Sequence, residues 1–144
     1  MKTAAKVAWV AIALGFLAFG LIRLGVGTAM MGQVSGLWFV SELSEGVDDV
    51  VAFLAKTEGN RIIAFSAFGY FAYIAAMGLT KIAGAAGSLM SQGWGPKLLA
   101  VYLAMHGALF LNFLTVNPKI FLFLGGIAAL VAMVWLQRYY ARAD

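Results

Sequence analysis

Residues 7–41, VAWVAIALGFLAFGLIRLGVGTAMMGQVSGLWFVS, run for thirty-five residues with Arg23 as their one charge. A helix needs about 20 apolar residues to cross a bilayer, whose hydrocarbon core is roughly 30 Å thick. A helix over the whole stretch would reach roughly 52 Å at its rise of about 1.5 Å per residue. The segment must therefore cross a membrane and then turn. Gly25, Gly27, Gly32 and Gly36 are the places where bending costs least.

The rest of the composition agrees. Charged residues are 11% of the 144 and hydrophobic residues 63%, where a soluble domain carries about 25% charge. A core of this size cannot hide that much apolar surface from water, so the chain reads as one integral membrane domain, residues 1–144. The absence of cysteine excludes disulfides, thiolate metal sites and dithiol redox chemistry. The net charge of +4 comes from bases scattered singly at helix ends, a topological pattern that offers no nucleic-acid surface. Lys2 and Lys6 before an apolar run resemble the start of a signal peptide. The run is too long for a signal core, however, and lacks a clean small-residue cleavage site, so a retained first helix is expected.

Four spans are predicted, at about 7–30, 62–80, 98–116 and 120–136, with a long outer loop at 31–61. The Asn117-Pro118-Lys119 turn makes the last two helices adjacent and antiparallel. The expected fold class is thus all-α: an antiparallel bundle of four transmembrane helices. An even number of spans puts both termini on one side. Lys2, Lys6, Lys81, Lys97, Arg138 and Arg142 gather there, against Lys56, Arg61 and Lys119 on the other. The positive-inside tendency makes the first side cytoplasmic, and the expected location is a bacterial inner membrane with N and C termini inside. Trp9, Trp94, Trp135, Tyr139 and Tyr140 then mark the inner interface and Trp38 the outer.

The outer loop holds Glu42, Glu45, Asp48, Asp49 and Glu58. Val47, Val50, Val51 and Leu54 follow a helical period there, which predicts a short amphipathic surface helix capped by Ser44. The inner connection 81–97 is glycine-rich, matches no phosphate-binding motif, and reads as a flexible loop or a frayed helix extension.

Polar residues inside the spans are the candidates for chemistry, because lipid tails give them no partner. Helical rise puts Arg23 about 24 Å and Asn112 about 21 Å from the inner face, with Ser66 at a similar level. The three form an expected polar layer that either brackets the bundle or binds an anion. Nearer the midplane, Ser66, Tyr70, Tyr73 and Met77 share one helix face, and Tyr102 and His106 are one turn apart on the third span. A Tyr73–His106 contact would suit a quinone carbonyl or a proton relay, or would simply hold two helices in register. With one histidine and no carboxylate in any span, no protein-only metal site and no intrinsic cofactor are expected, a quinone or lipid being the ligand class left. Catalytic residues are likewise not legible, and a non-enzymatic role is expected. Ala11 with Gly15, and Gly125 with Ala129, are small residues four apart that permit close helix approach within the bundle or to a partner.

The run GLIRLGVGTAMMGQVSGL, residues 20–37, resembles the first-helix signature of the DoxX-like membrane proteins through Arg23, Leu24, Gly25 and Gly27. That resemblance implies a small four-helix subunit associated with quinone-linked or thiol and sulfur redox systems, its cofactors carried by a partner. The acidic outer loop is longer than the family pattern. Two readings follow. One is an accessory or assembly subunit of a larger membrane complex, surrounded by lipid and joined to other membrane subunits or to copies of itself. The other is a bundle that binds a quinone or another small hydrophobic ligand. A transporter fragment fits less well, since four spans with one buried charge make a poor alternating-access device.

Overall fold

The computed structural model describes residues 2–115 and 117–141 as five helices. They are α1 (Lys2–Val34), α2 (Ser41–Lys56), α3 (Ala67–Leu89), α4 (Gly95–Phe113) and α5 (Ile120–Ala141). Three of them, over Thr3–Val34, Gly95–Phe113 and Ile120–Tyr139, are long and apolar enough to cross a membrane. All regular structure among the described residues is helical, and these three helices are candidate membrane spans, consistent with a membrane protein. Val116 and residues 142–144, at the end of the predicted third span and at Arg142, lie outside the described residues.

Helix α1 runs without a break through Gly25, Gly27 and Gly32, and the expected turn comes at Gly36, whose φ of 74° lies in the left-handed region. Gly27 and Gly32 serve contact instead of bending, while Gly25 faces open space. A Cβ on Gly27 would lie 2.7 Å from the Ala75 backbone nitrogen, and the Gly32 Cβ position is filled by the Trp38 ring. Trp38 is fixed there by its indole N–H, which donates to the Ala29 carbonyl at 3.1 Å.

Helix α2 is the predicted amphipathic helix. Leu54 is buried, Phe53 packs edge-on against Phe113 at 4.8 Å, and Glu42, Glu45, Asp48 and Asp49 face outward. It starts at Ser41 after an uncapped Val40. Ser44, the expected cap, is instead inside the first turn, where its hydroxyl accepts from the Gln33 amide at 3.2 Å. The backbone N–H of Glu42 and the Ser41 hydroxyl hold the Glu42 carboxyl below the usual carboxylate range.

The largest departure from the expected elements is at α3. Residues 62–66, predicted to open the second span, form an extended strap, and helix continues to Leu89 through most of the expected inner loop. The strap is held at both ends. Ser66 accepts from the Gly69 N–H at 3.0 Å as the N-cap of α3. Asn112 accepts from the Ile63 N–H at 2.7 Å and donates to its carbonyl at 3.1 Å, while the Asn112 carbonyl accepts from Ile62 at 2.9 Å. Past Thr80, the sequence KIAGAAGSL contains no proline, and its small residues, Gly84 and Gly87 included, fit between neighbours. Gly84 meets Leu99, Gly87 lies under the Trp94 ring, and Gly95 packs on Ser88.

The interior has two parts. Trp9, Ala13 and Phe16 of α1 meet Ala85, Leu99 and Met133 in one cluster. Met77, Tyr102 and Leu103 form the other, with Tyr73, Ile74, Phe123 and Leu130 against it. α1 packs most extensively on α3, α3 on α4, and α5 leans on α1 and α4. Between α1 and α5 that leaning leaves a gap.

Candidate functional site

The gap between α1 and α5 is a cleft of about 370 Å³, within the range of small-molecule sites. Its walls are Ile12, Gly15, Phe16 and Phe19 of α1 and Phe121, Leu122, Gly125, Gly126 and Ala129 of α5. Gly15 and Gly125 leave the room: a Cβ on either would meet nothing within 4 Å. Exposed Phe19, Phe121 and Leu122 flank the opening, so the cleft faces sideways, toward the surroundings of the helices.

Its polar floor consists of Arg23, Lys81 and Tyr102. Lys81 is only 8% exposed. Helix α3 brings its ammonium to 4.6 Å from the Tyr102 ring centre and 5.2 Å from each of Phe16 and Phe19. It donates to the Tyr102 hydroxyl at 3.5 Å. Arg23 reaches the same ring from α1, its guanidinium carbon 5.5 Å from the centre, and donates to the Met77 sulfur at 3.4 Å. Thioether sulfur is a weak acceptor. No carboxylate compensates these two cations among the described residues, whose acidic side chains all lie between Glu42 and Glu58.

On the other side of Tyr102 is His106. Its Nδ1 lies 3.5 Å from the Tyr102 hydroxyl, its ring stacks on Phe110 at 5.5 Å, and Phe123 meets it edge-on at 5.5 Å. His106 also lines a second cavity of about 230 Å³ with Asp49, Phe53, Tyr70, Phe113, Asn117 and Lys119. Tyr102 thus stands between the cleft and this outer cavity.

The sequence-predicted set is therefore divided. Arg23 lines the cleft, and Tyr70 and His106 line the outer cavity. Tyr73 does not meet His106; its hydroxyl donates to the Met105 carbonyl at 2.9 Å. Asn112 of α4 is bonded to the strap and Ser66 caps α3, so neither hydrogen-bonds Arg23. Ala11 is exposed; Gly15, Gly125 and Ala129 line the cleft, and Ala129 also packs against the Trp9 cluster. Lys81 and the role of Tyr102 toward the cleft were not read from the sequence. The available signal was the uninterrupted helical stretch after Thr80, which carries Lys81 inward from the interface.

The Asn112 bracket makes one expectation direct. Asn112→Leu removes a buried side chain's donor and acceptor together, and two such bonds contribute about 1–3 kcal/mol. Hydrogen exchange at Ile63 should rise by tenfold or more while exchange in the middle of α4 stays unchanged. Unaltered exchange at Ile63 would show that the strap is held by other means.

No family model matches the chain, and no curated protein or solved structure is significantly similar to it.

Proposed function

We propose that the chain is a four-span antiparallel bundle of α1, α3, α4 and α5 with both termini inside, and that it binds an amphiphilic ligand in the cleft between α1 and α5. The four-span reading is supported by α3, whose 23 residues reach about 35 Å with one charge, Lys81. Antiparallel order is supported by the α1–α3 contacts, where Gly20 meets Gly78 and Ile82 while Gly27 meets Ala75. The observation that carries the functional reading is the cleft itself: apolar walls, a sideways mouth, and a floor of two cations and a phenol. A membrane-soluble molecule with a polar head, a quinone or a lipid, has the matching division of chemistry. A quinone would agree with the DoxX-like resemblance. Its test is native mass spectrometry of the full chain gently extracted from its own membrane. The expected result is a bound small amphiphile. A chain that emerges empty, and remains empty after exposure to quinones and lipids, would overturn the reading.

The accessory-subunit reading draws on a different feature, the outward acidic row Glu42, Glu45, Asp48 and Asp49 on α2, which is suited to a basic partner. Stable co-purification with larger subunits through α2, with the cleft empty, would favour it.

A further inference from the structure

Accepting the cleft as a ligand site, we propose that the head it takes is an anion, a carboxylate or phosphate monoester on an apolar chain, seated among Arg23, Lys81 and the Tyr102 hydroxyl. The starting point is charge balance. An ion placed in a low-dielectric interior costs several kcal/mol unless it is paired. Cation–π contacts return about 0.5–2 kcal/mol each, so the rings of Phe16, Phe19 and Tyr102 offset only part of that for Lys81. Arg23 carries five N–H donors, and the acceptor it meets among the described residues is the Met77 sulfur.

A neutral carbonyl head would accept a hydrogen bond here but leave both charges uncompensated. A carboxylate or phosphate oxygen supplies the missing sign and enough lone pairs for guanidinium, ammonium and phenol together. The apolar tail follows from the walls. Gly15 and Gly125 keep open a trough beside Phe16 and Phe19, and a bare inorganic anion has no use for it. Both cations approach one ring, Tyr102, whose hydroxyl also faces His106, so the head would rest at the junction between the two cavities.

The experiment uses the full chain in a neutral detergent, titrated with oleate, oleyl phosphate, oleyl alcohol and inorganic phosphate, and read by equilibrium dialysis. Oleate and oleyl phosphate should bind at least about tenfold more tightly than oleyl alcohol, the scale of one charge-assisted hydrogen bond. Lys81→Met and Arg23→Gln should each remove about tenfold of the anion's affinity and leave the alcohol's unchanged, while Lys81→Arg retains the preference. Circular dichroism and gel filtration confirm that each variant is folded; if only one neutral variant folds it carries the comparison alone, and if neither does, oleate against oleyl alcohol on the unaltered chain decides. Equal binding of alcohol and anions would overturn the anionic head and leave the cleft as a ligand site. No binding of any chain-bearing probe would overturn the ligand site itself. Inorganic phosphate binding as tightly as oleyl phosphate would overturn the requirement for a tail and make the ligand a free anion.

Discussion

Gly78→Val is expected to abolish the folded chain. A Cβ at Gly78 would lie 2.5 Å from the Leu24 backbone nitrogen and 2.9 Å from the Gly20 carbonyl oxygen. Real side chains essentially never approach backbone that closely, and α1 cannot yield as the end of a flexible side chain can. From the facing side, a Cβ on Gly20 would sit 3.1 Å from the Ile82 nitrogen. Both helices therefore rely on glycine at one crossing, where close backbone approach replaces the hydrophobic drive that lipid does not supply. Overpacking in a well-filled interior costs about 1–3 kcal/mol. Against two backbones the loss should exceed that range, enough to empty the native state of a marginal protein. Thermal unfolding in detergent should show no cooperative transition, and gel filtration should show aggregate. A Gly78→Val variant with the native elution volume and melting temperature would refute the crossing. Gly15→Ala is the control: its Cβ meets nothing, so the change should be neutral or stabilising by up to about 1 kcal/mol.

The second large effect separates binding from stability. Gly125→Phe puts a ring where nothing lies within 4 Å of a Cβ, directly into the cleft between α1 and α5. Because it fills space without displacing packed atoms, the melting temperature should move by no more than a few degrees. Retained amphiphile, read by native mass spectrometry, should fall at least about tenfold. Undiminished ligand in a folded Gly125→Phe protein would put the molecule elsewhere, with the outer cavity around His106 and Tyr70 the next place to look. The same residue type thus gives opposite outcomes at 78 and 125, decided by what stands opposite each glycine.

The helical character of the chain and its long apolar helices were legible because they depend on local quantities: apolar run length, charge spacing, and the period of Val47, Val50 and Leu54 on α2. The site was legible only in part. Arg23 stood out as the one charge in a long apolar run, and its place in the cleft was within reach. Lys81 was not, because a lysine at the edge of an apolar run has the same local appearance whether the helix stops there or continues. Its burial is decided by Phe16, Phe19 and Tyr102, residues remote in sequence. Depth along the helices also suggested a common level for Arg23, Asn112 and Ser66. It could not show that Asn112 is occupied by backbone of the strap and Ser66 by the first turn of α3. The small-residue pairs had the right spacing for packing, yet spacing does not say whether a partner helix arrives. At Gly20, Gly27 and Gly78 one does, and at Gly15 and Gly125 it does not.

Lys81 finally bears on how such a bundle is made. A lysine near the centre of a span costs about 2.5–3.5 kcal/mol to insert, and on the four-span reading α3 carries one, Lys81. The aromatic rings that shelter its ammonium, Phe16 and Phe19, belong to α1. During synthesis α1 emerges first, so its rings are already in the bilayer when α3 leaves the ribosome. On the four-span reading, α3 partitions into protein and lipid together, and the N-terminal helix acts as an insertion template for the one that follows.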